Sequence, residues 1–308
     1  MNIWFGINNI PRNIPNSAVT IGNFDGVHTG HRHILERLAQ QASERSLNPV
    51  AIVFEPQPNE FFSKLAHKPQ PYRLSPLRDK LRLLQETGSL KNICVIRFNA
   101  HFANQTADQF IQIILRDKLN TRYLLVGDDF RFGKARGGDF ELLSQQPDFV
   151  TERTPSILVA GGRASSTSVR QALSNGDIAQ ATQILGHPYT LSGHVKHGKK
   201  LGRSIGCPTA NIHLPAHHYA LSGVFVVQAH TETGIYRGVA SFGSNPTVSN
   251  TPESKLEVHL FNFTGDLYGQ RLHISFLHKL RDEIKFDSID ELQAQIHQDM
   301  KDAENWAA

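Results

Sequence analysis

The segment Thr20–His33, TIGNFDGVHTGHRH, carries residue types and spacings that suit phosphate chemistry. An apolar run leads into a glycine-containing turn and then into a helix expected to begin near residues 30–31. Glycines allow a close backbone approach to phosphate, and a helix start offers free N–H groups and a positive dipole end. His28 and His31 are three residues apart, so both rings can face one point. Two imidazoles over an anion could neutralise charge developing on a transferred phosphoryl group. The alternative is two surface histidines among the 16 in the chain, and a zinc site is less favoured because no third ligand is marked out nearby.

A second glycine-rich segment, Gly193–Ile212, reads GHVKHGKKLGRSIGCPTANI. Its glycines recur every four residues with basic residues between them, at Gly198, Gly202 and Gly206 and at Lys199, Lys200 and Arg203. A basic loop of this kind can cradle phosphates through backbone N–H groups. It is not a Walker A loop, because GxxxxGK[ST] is absent. An ordinary hairpin connection is the alternative interpretation of the loop alone.

Composition and charge limit the class of protein. Of 308 residues, 39% are hydrophobic and 19% charged, which suits a chain that buries cores and is long enough for two domains. Residues 1–185 hold 21 Lys/Arg against 16 Asp/Glu, and residues 186–308 hold 11 against 12. The mild N-terminal excess suits an anionic small molecule or ordinary surface scatter, and it falls short of the basic patch of a nucleic-acid binder.

Cysteine content and hydropathy indicate the cellular compartment in which the protein is expected. Cys94 and Cys207 are too few for a disulfide framework or a zinc site. The N-terminus lacks the basic and apolar regions of a signal peptide, and no apolar stretch approaches 18 residues. We therefore expect a cytoplasmic protein that associates with no membrane, and nothing in the sequence indicates an obligate protein partner.

Up to about residue 185, short apolar runs alternate with helical segments. The runs predict strands buried on both faces, at Ala18–Ile21, Val50–Phe54, Ile93–Phe98 and Tyr123–Val126. Apolar residues at helical spacing predict helices between them, at His31–Ala42, Pro76–Thr87 and Ala107–Lys118. Strand–helix alternation implies a parallel sheet, whose ligands lie at the carboxyl ends of the strands.

After a predicted helical pair, Ser166–Leu173 and Asp177–Leu185, the chain changes character at Gly186. Strands separated by turn residues follow, including Gly223–His230, Ile235–Phe242, Lys255–Phe263 and Leu272–Leu280. Because no helix-length pattern interrupts them, we expect an antiparallel barrel. A final amphipathic helix is predicted over Ile289–Met300. The domains are accordingly predicted as residues 1–185 and 186–308.

The first half resembles the nucleotidylyltransferase domain of bacterial FAD synthetases. The matching stretches are GNFDGVH-x-GH, FEPQP (Phe54–Pro58), VGDDFRFG (Val126–Gly133) with Arg136 and Asp139, and SSTSVRQAL (Ser165–Leu173). The resemblance implies a Rossmann-like domain that adenylylates FMN. It implies that His28 and His31 bind the ATP phosphates and that the turn packs against the adenosine, through Gly22, Asn23, Phe24, Asp25 and Gly26.

The same resemblance gives roles to two later segments. Asp129 and Arg131 would lie at a strand end beside the nucleotides, and Ser166, Thr167 and Arg170 would close over the triphosphate. Ser166 and Thr167 can cap a helix while offering hydroxyl groups, and Arg170 can pair bidentately with phosphate. A plain helix cap, and an acidic turn residue at Asp129, are the alternatives for these residues taken singly.

The second half resembles the riboflavin kinases. The matching stretches follow one another in the order of that family: GCPTAN (Gly206–Asn211), Gly223-Val224-Phe225, GVASFGSNPTV (Gly238–Val248), LEVH (Leu256–His259), DLYG (Asp266–Gly269) and LRDEIKF (Leu280–Phe286). The resemblance implies that Thr209 and Asn211 ligate Mg²⁺ with ATP and that Glu257 is the catalytic base. It also implies ATP binding by the loop, through Gly198, Gly202, Arg203 and Gly206. Taken alone, Glu257 would be an exposed strand residue without a role.

Together the resemblances imply a bifunctional enzyme of FAD biosynthesis, with riboflavin, FMN and ATP as ligands and flavins as substrates and products. The alternatives are a nucleotidylyltransferase for another phosphorylated acceptor, or a non-enzymatic flavin-binding or nucleic-acid-binding module. Departures from the family patterns are Gln57 for His, Ala164 for Ile, Cys207 for Phe and Ser241 for Asn. Of these, Ala164 bears on closure over the triphosphate.

Overall fold

The computed structural model describes residues 1–155, 157–159, 161–198, 207–245 and 253–307. The chain forms two compact units. Unit 1 comprises Met1–Pro71 and Lys80–Ala164, and unit 2 comprises Tyr72–Asp79 and Ser165–Ala308. Unit 2 therefore includes a short segment from the N-terminal half of the sequence.

Unit 1 is built on a six-stranded parallel sheet. Its strands are β1 (Asn2–Phe5), β2 (Ser17–Ile21), β3 (Asn48–Glu55), β4 (Asn92–Arg97), β5 (Thr121–Gly127) and β6 (Val150–Thr154). Their spatial order is β1-β4-β3-β2-β5-β6. Every residue of β2 is buried, and β2 pairs with β3 on one side and β5 on the other. The strand order reverses at β2, and a parallel sheet binds ligands beyond the carboxyl ends of strands at such a point.

Helices connect the strands of unit 1 and cover the sheet. They are α1 (Thr29–Glu44), α2 (Pro58–Leu65), α3 (Leu77–Glu86), α4 (Ala100–Ala103), α5 (Ala107–Gln109) and α6 (Phe140–Ser144). A π-helix, Phe110–Lys118, continues α5 and buries Ile111 and Ile114 in the core. Short 3-10 turns lie at Ile7–Asn9 and Lys134–Arg136. A small hairpin pairs β7 (Leu158–Val159) with β8 (Gly162–Arg163).

Unit 2 contains two helices followed by a closed antiparallel barrel. The helices are α7 (Ser166–Ser174) and α8 (Ile178–Leu185). The barrel strands are β9 (Tyr189–Lys196), β10 (Ala210–His213), β11 (Gly223–His230), β12 (Ile235–Asn245), β13 (Glu253–Leu260) and β14 (Arg271–Arg281). They close in the order β10-β13-β12-β11-β14-β9. Closure leaves no free strand edge, and buried phenylalanines such as Phe225 and Phe276 fill the interior.

The last helix, α9 (Ile289–Asn305), is fixed to the barrel by polar contacts. Ser288 caps its start by accepting a hydrogen bond from Glu291 N at 3.2 Å. Arg281 at the end of β14 donates to both carboxylate oxygens of Asp299, at 2.8 and 2.7 Å. Near the helix end, the Arg237 guanidinium donates to the carbonyls of Ala303 and Trp306, at 3.1 and 2.6 Å.

These observations confirm the predicted fold class, a parallel-sheet domain followed by an antiparallel barrel and a terminal helix. The sequence did not predict every element individually; the missing ones are β1, α2, α4, α6, β6, β7, β8, β9 and β10. One local expectation was wrong: Ser166 and Thr167 do not cap α7. Ser165 is the N-cap, and its hydroxyl accepts from Ser168 N at 3.1 Å, so Ser166 and Thr167 form the first turn of the helix.

None of the helices within the described ranges is long and apolar enough to cross a lipid bilayer.

Candidate functional site

The turn after β2 is strained and buried. Phe24 and Val27 have φ values of 47° and 41°, in the left-handed region that non-glycine residues rarely adopt. Their side chains and that of Asp25 are at most 1% exposed. Backbone strain of this kind costs about 1–3 kcal/mol per residue and is typical of ligand-binding turns. The turn delivers the chain to His28, the N-cap of α1, whose own side chain makes no capping hydrogen bond. The N-terminal end of a helix carries the positive end of the helix dipole, which favours anions.

His28 and His31 stack on each other beside this helix start. Their ring centroids are 3.6 Å apart with an interplanar angle of 24°. The missing side chain of Gly30 makes room for the His28 ring, because a Cβ at position 30 would lie 3.2 Å from His28 ring atoms and 3.3 Å from the Ala164 carbonyl oxygen. The structure thus brings together the two histidines that the sequence predicted to face one point.

The pKa of His31 lies well below its usual value, because burial disfavours the imidazolium and the nearby His28 and Lys80 add to the effect. His31 is therefore neutral at pH 7 in the ligand-free protein. Its Nδ1 atom has no hydrogen-bond partner among the residues that the structure describes. The ring suits hydrogen bonding to an incoming oxyanion better than permanent charge neutralisation.

Asp129 and Arg131 lie in the turn after β5, the strand next to β2. Arg131 forms an ion pair with Asp139 at 2.8 Å. Asp139 also caps α6 by accepting from Leu142 N at 3.1 Å. Asp129 is exposed and lies 3.5 Å from an Arg163 nitrogen. Because both strands are parallel, this turn lies at the same sheet edge as the histidine pair.

The other predicted triphosphate residues lie in unit 2. Ser166, Thr167 and Arg170 are on α7. Arg170 Nε donates to the backbone oxygen of Tyr72 at 2.6 Å.

An aromatic cluster at the same end of the unit 1 sheet was not predicted. It consists of phenylalanines near the end of β3, just after β4, and on α2 and α4, whose neighbouring ring centroids lie 5.4–5.7 Å apart: Phe54, Phe61, Phe62, Phe98 and Phe102. Phe62 is 50% exposed. The Phe61-Phe62 pair just after FEPQP is the sequence signal that could have indicated it. Gln57, the N-cap of α2, is 2% exposed beside this cluster.

In unit 2, a cavity of about 380 Å³ lies between the outer face of the barrel and α9. The strand register places a row of its lining residues side by side, because Asn211 lies opposite Glu257 and Glu257 lies opposite Ser241. Thr209 and Cys207 also line it, and α9 contributes Leu292 and Ile296. The predicted base and the predicted metal ligands therefore share one cavity.

Two ion pairs lie in this cavity. Lys255 Nζ lies 2.7 Å from Glu257 Oε1, with side-chain exposures of 58% and 29%. Arg281 is bound to Asp299. Burial, with Glu257 and Asp299 nearby, raises the pKa of the Cys207 thiol to about 11. The thiol is therefore protonated at neutral pH, and the substitution of Cys for Phe puts a small neutral group against the cavity.

A second cavity of about 150 Å³ also has Thr209 in its wall. The segment Gly265–Tyr268, which includes most of the DLYG motif, lines it. Gly198 lies against Asn211, since a side chain at position 198 would overlap the Asn211 amide group. The loop residues Gly202, Arg203 and Gly206 lie outside the described residues.

Metal binding can be judged by donor chemistry. Within the described residues, no group of three or more His, Cys, Asp or Glu side chains is arranged to hold a metal ion. Thr209 and Asn211 supply neutral oxygens, which fit a hard cation that arrives with ATP and takes most of its ligands from phosphate and water. The donor set thus fits Mg²⁺ carried by the nucleotide rather than a resident metal.

Known proteins resemble the whole chain. Residues 10–168 match the FAD synthetase family and residues 185–307 the riboflavin kinase family. A bifunctional riboflavin kinase/FMN adenylyltransferase of Haemophilus influenzae is 42% identical over 98% of both chains. The protein of the same description from Escherichia coli K12 is 43% identical over 97% of this chain and 96% of its own. A crystal structure described as a macrolide-efflux protein from Streptococcus pneumoniae superposes with a TM-score of 0.82 at 30% identity, covering 99% of each chain.

Proposed function

This chain belongs to the bacterial bifunctional riboflavin kinase/FMN adenylyltransferase family, and we propose that its two reactions are carried by the two sites described above. It phosphorylates riboflavin to FMN and adenylylates FMN to FAD. The barrel cavity serves the first reaction and the turn after β2 serves the second. A nucleotidylyltransferase for another acceptor, or a non-enzymatic binding module, is not favoured, because both family matches and the full-length relatives point to the two flavin reactions.

Phosphorylation of riboflavin needs a base, because an alcohol is a poor nucleophile while protonated. Glu257 accepts the proton of the ribityl 5′-hydroxyl, the oxygen bonds to the γ-phosphorus of ATP, and the bond from that phosphorus to the bridging oxygen breaks to release ADP. The single observation that best supports this assignment is the register that sets Glu257 opposite Asn211 inside the cavity. General-base catalysis of this kind contributes roughly 10²–10⁴-fold in rate.

The arrangement of the two cavities supports the same assignment. Riboflavin binds in the larger cavity, whose walls include apolar residues of α9, and ATP binds on the side of the smaller one. Thr209 is common to both and would hold Mg²⁺ together with Asn211, where the phosphates meet the flavin. The metal supplies electrostatic stabilisation of the transferred phosphoryl group. Gly198, Gly202, Arg203 and Gly206 bind the ATP phosphates.

Adenylylation of FMN needs no general base, since the attacking phosphate oxygen is already ionised at neutral pH. A phosphate oxygen of FMN bonds to the α-phosphorus of ATP and pyrophosphate leaves. His28, His31 and the first N–H groups of α1 bind the triphosphate, and Gly22–Gly26 pack against the adenosine. Asp129 and Arg131 lie beside the nucleotides, and Ser166, Thr167 and Arg170 bind the triphosphate from α7.

The flavin ring of FMN needs an apolar surface in unit 1. The partly exposed phenylalanine cluster beyond β3 and β4 offers one at the sheet edge that also carries His28. Aromatic rings stack or meet edge-to-face with a flavin at little entropic cost. This cluster supports FMN as the acceptor over a small sugar phosphate.

The boundary between the two functional halves lies near residue 185 of the sequence, where the riboflavin kinase match begins. Both Cys94 and Cys207 are free and buried, which supports a reducing, cytoplasmic location. Riboflavin, FMN and ATP are then the expected partners, without nucleic acid, membrane or an obligate protein partner.

Two substitutions test the assignment of one reaction to each site. We expect His28→Ala to abolish FAD formation from FMN while FMN formation from riboflavin continues. Glu257→Ala should do the reverse, lowering riboflavin phosphorylation by at least 10²-fold. The measurement is chromatographic separation of riboflavin, FMN and FAD during incubation with ATP and Mg²⁺, starting from riboflavin or from FMN.

Each variant is the control for the other, because each must retain one reaction. Loss of both reactions in either folded variant would contradict the assignment of one reaction to each site. Retention of FAD formation by His28→Ala would remove this histidine from the adenylylation site.

A further inference from the structure

Gln57 carries a buried amide group whose donor atom is not bonded within unit 1. The residue is 2% exposed and is the N-cap of α2, shortly after the end of β3. Its backbone N–H donates to Glu60 Oε2 at 2.9 Å. Its side-chain Nε2 atom has no hydrogen-bond partner among the residues that the structure describes. The large majority of buried side-chain polar atoms in proteins are paired, so this exception needs a physical explanation.

A buried donor without an acceptor lowers the stability of the folded protein. The amide gives up its hydrogen bonds to water on folding and gains no bond in exchange. An apolar side chain of similar length at position 57 would avoid this loss. Groups that reduce stability in this way are typical of sites where a ligand supplies the missing partner.

The amide lies beside the phenylalanine cluster proposed above to contact the flavin ring. Gln57 stands between Phe54 and Phe61 in the chain, and its carbonyl oxygen accepts from Phe61 N at 3.1 Å. Both phenylalanines pack against Phe98, with ring centroids 5.7 and 5.5 Å from the centroid of that ring. A neutral hydrogen-bond donor therefore borders a surface that is otherwise built from aromatic rings.

The helix that follows Gln57 is loosely packed. None of the residues of α2 is buried, and its Phe62 and Leu65 are 50% and 67% exposed. Segments with few buried apolar contacts open at a low cost in free energy. A small displacement of α2 can therefore open the Gln57 amide to a molecule bound on the phenylalanine cluster.

We propose that Gln57 is a specificity-determining residue for FMN adenylylation, whose Nε2–H donates a hydrogen bond to a carbonyl oxygen of the flavin pyrimidine ring. The inference rests on the FMN site proposed for unit 1. The acceptor is a carbonyl because a neutral amide beside aromatic rings offers no charge to a phosphate. The bond orients the flavin and disfavours an apolar ring without the acceptor, since a buried donor would then stay unpaired.

The first test is Gln57→Met, because methionine keeps the length of the side chain and removes the donor. We expect the KM for FMN in FAD formation to rise about three- to tenfold with little change in kcat, as for the loss of one neutral hydrogen bond. The midpoint of thermal unfolding without ligand should stay the same or rise, because an unpaired buried amide is removed. A structural role for the amide would instead lower that midpoint.

Gln41→Met is the matched control within unit 1. Gln41 is also buried, at 4% exposure, but its Nε2 donates to Glu44 Oε2 at 2.7 Å. This substitution should lower the unfolding midpoint and leave the KM for FMN unchanged, the opposite of the result expected for Gln57→Met.

Thio-analogues of FMN test the bond itself. Sulfur accepts hydrogen bonds weakly, so the wild-type enzyme should use the 2-thio or the 4-thio analogue less well than FMN. Gln57→Met should abolish that difference. If Gln57→Met lowered the rates with FMN and both analogues by one common factor, or kept the wild-type KM and discrimination, the proposal would be overturned.

Phe62→Ala separates this proposal from the one on which it rests. If neither Phe62→Ala nor Gln57→Met raised the KM for FMN, or if the wild-type protein formed no FAD from FMN, the FMN site itself would be wrong and both proposals would fall. If Phe62→Ala raises the KM while Gln57→Met does not, only the role of Gln57 is wrong.

Discussion

At the scale of single residues, the stacking of His28 on His31 depends on the absence of a side chain at Gly30. Gly30 is in the first turn of α1, where alanine and most other residues would be better helix formers. The His28 ring occupies the space of the missing side chain. A side chain at position 30 would therefore stabilise the helix but disturb the placement of His28.

Gly30→Ala tests that conflict. The added methyl group must displace the His28 ring or the Ala164 carbonyl, since the clear distances are only 3.2 and 3.3 Å. We expect FAD formation from FMN to fall about tenfold, because small displacements of groups that bind reacting phosphates are costly. The thermal stability of the protein should stay the same or rise, since alanine favours helix by about 1 kcal/mol. Both quantities are measured on the same preparation.

Gly162→Ala is the control for this substitution. Gly162 has no heavy atom within 4 Å of the position of an added Cβ, and it lies in the same unit. It should keep wild-type adenylylation. If Gly30→Ala lost activity only in proportion to lost stability, the effect would be one of folding and not of histidine placement.

At the scale of secondary structure elements, α9 completes the cavity proposed for riboflavin only if it stays fixed to the barrel. Arg281 makes two hydrogen bonds to Asp299, whose side chain is 8% exposed. Gln295 donates a third to the same carboxylate, at 2.9 Å. Leu292 and Ile296, which line the cavity, lie on the same helix upstream of this anchor.

Asp299→Ala should therefore affect stability and substrate binding together. Removing one partner leaves the Arg281 charge uncompensated, which typically costs about 3 kcal/mol in the free energy of unfolding. We expect the KM for riboflavin to rise while adenylylation of FMN is unchanged. Denaturant unfolding and steady-state kinetics measure the two effects.

Gln298→Ala gives the comparison, since Gln298 is the exposed neighbour of Asp299 and bonds to the exposed Asp302. It should change neither property. If Gln298→Ala also raised the KM for riboflavin strongly, any disturbance of α9 would be enough to weaken riboflavin binding. The contact between Asp299 and Arg281 would then have no specific role.

The secondary structure elements also show which parts of the fold could be predicted from the sequence and which could not. β2 to β5 were predictable because apolar runs mark strands buried on both faces. β6, VTERT, was not predicted, because it is an edge strand whose burial is mostly partial. The π-helix was predictable only as helical, since a shift from i+4 to i+5 bonding leaves little trace in the apolar pattern.

The candidate site shows a similar limit. Motifs identified His28, His31, Thr209, Asn211 and Glu257 without a structure. The partners of these residues were not predictable, because the Arg281–Asp299 contact joins elements that only the three-dimensional fold brings together. The phenylalanine cluster likewise combines residues from four separate segments of unit 1.

At the scale of the whole molecule, the compact unit that contains the barrel is assembled from two parts of the chain. Within unit 2, Arg73 N donates to the His218 carbonyl at 2.7 Å. Asp79, which is 1% exposed, accepts hydrogen bonds from the backbone N–H of Ser192, at 2.9 Å, and from its hydroxyl. Residues 72–79 thus satisfy buried donors of β9.

Asp79→Ala should lower the stability of unit 2. It leaves the two Ser192 donors buried without an acceptor, at a cost of about 2–4 kcal/mol in the free energy of unfolding. Denaturant unfolding followed by the loss of riboflavin phosphorylation measures the effect. Asp79→Asn, which retains one acceptor oxygen, should lose less.

Glu232→Ala removes an exposed carboxylate of the turn between β11 and β12 and should leave stability unchanged. If Asp79→Ala unfolded at the same denaturant concentration as the wild-type protein, the segment 72–79 would contribute nothing to the stability of the barrel.

The origin of unit 2 in two stretches of sequence has a consequence for any attempt to divide the gene. A cut between codons 164 and 165 would give the downstream product all six barrel strands but leave codons 72–79 on the upstream fragment. A kinase-only polypeptide would need those eight residues grafted to it or supplied as a separate peptide. Single-activity versions of this enzyme are therefore better obtained by substituting His28 or Glu257 than by scission.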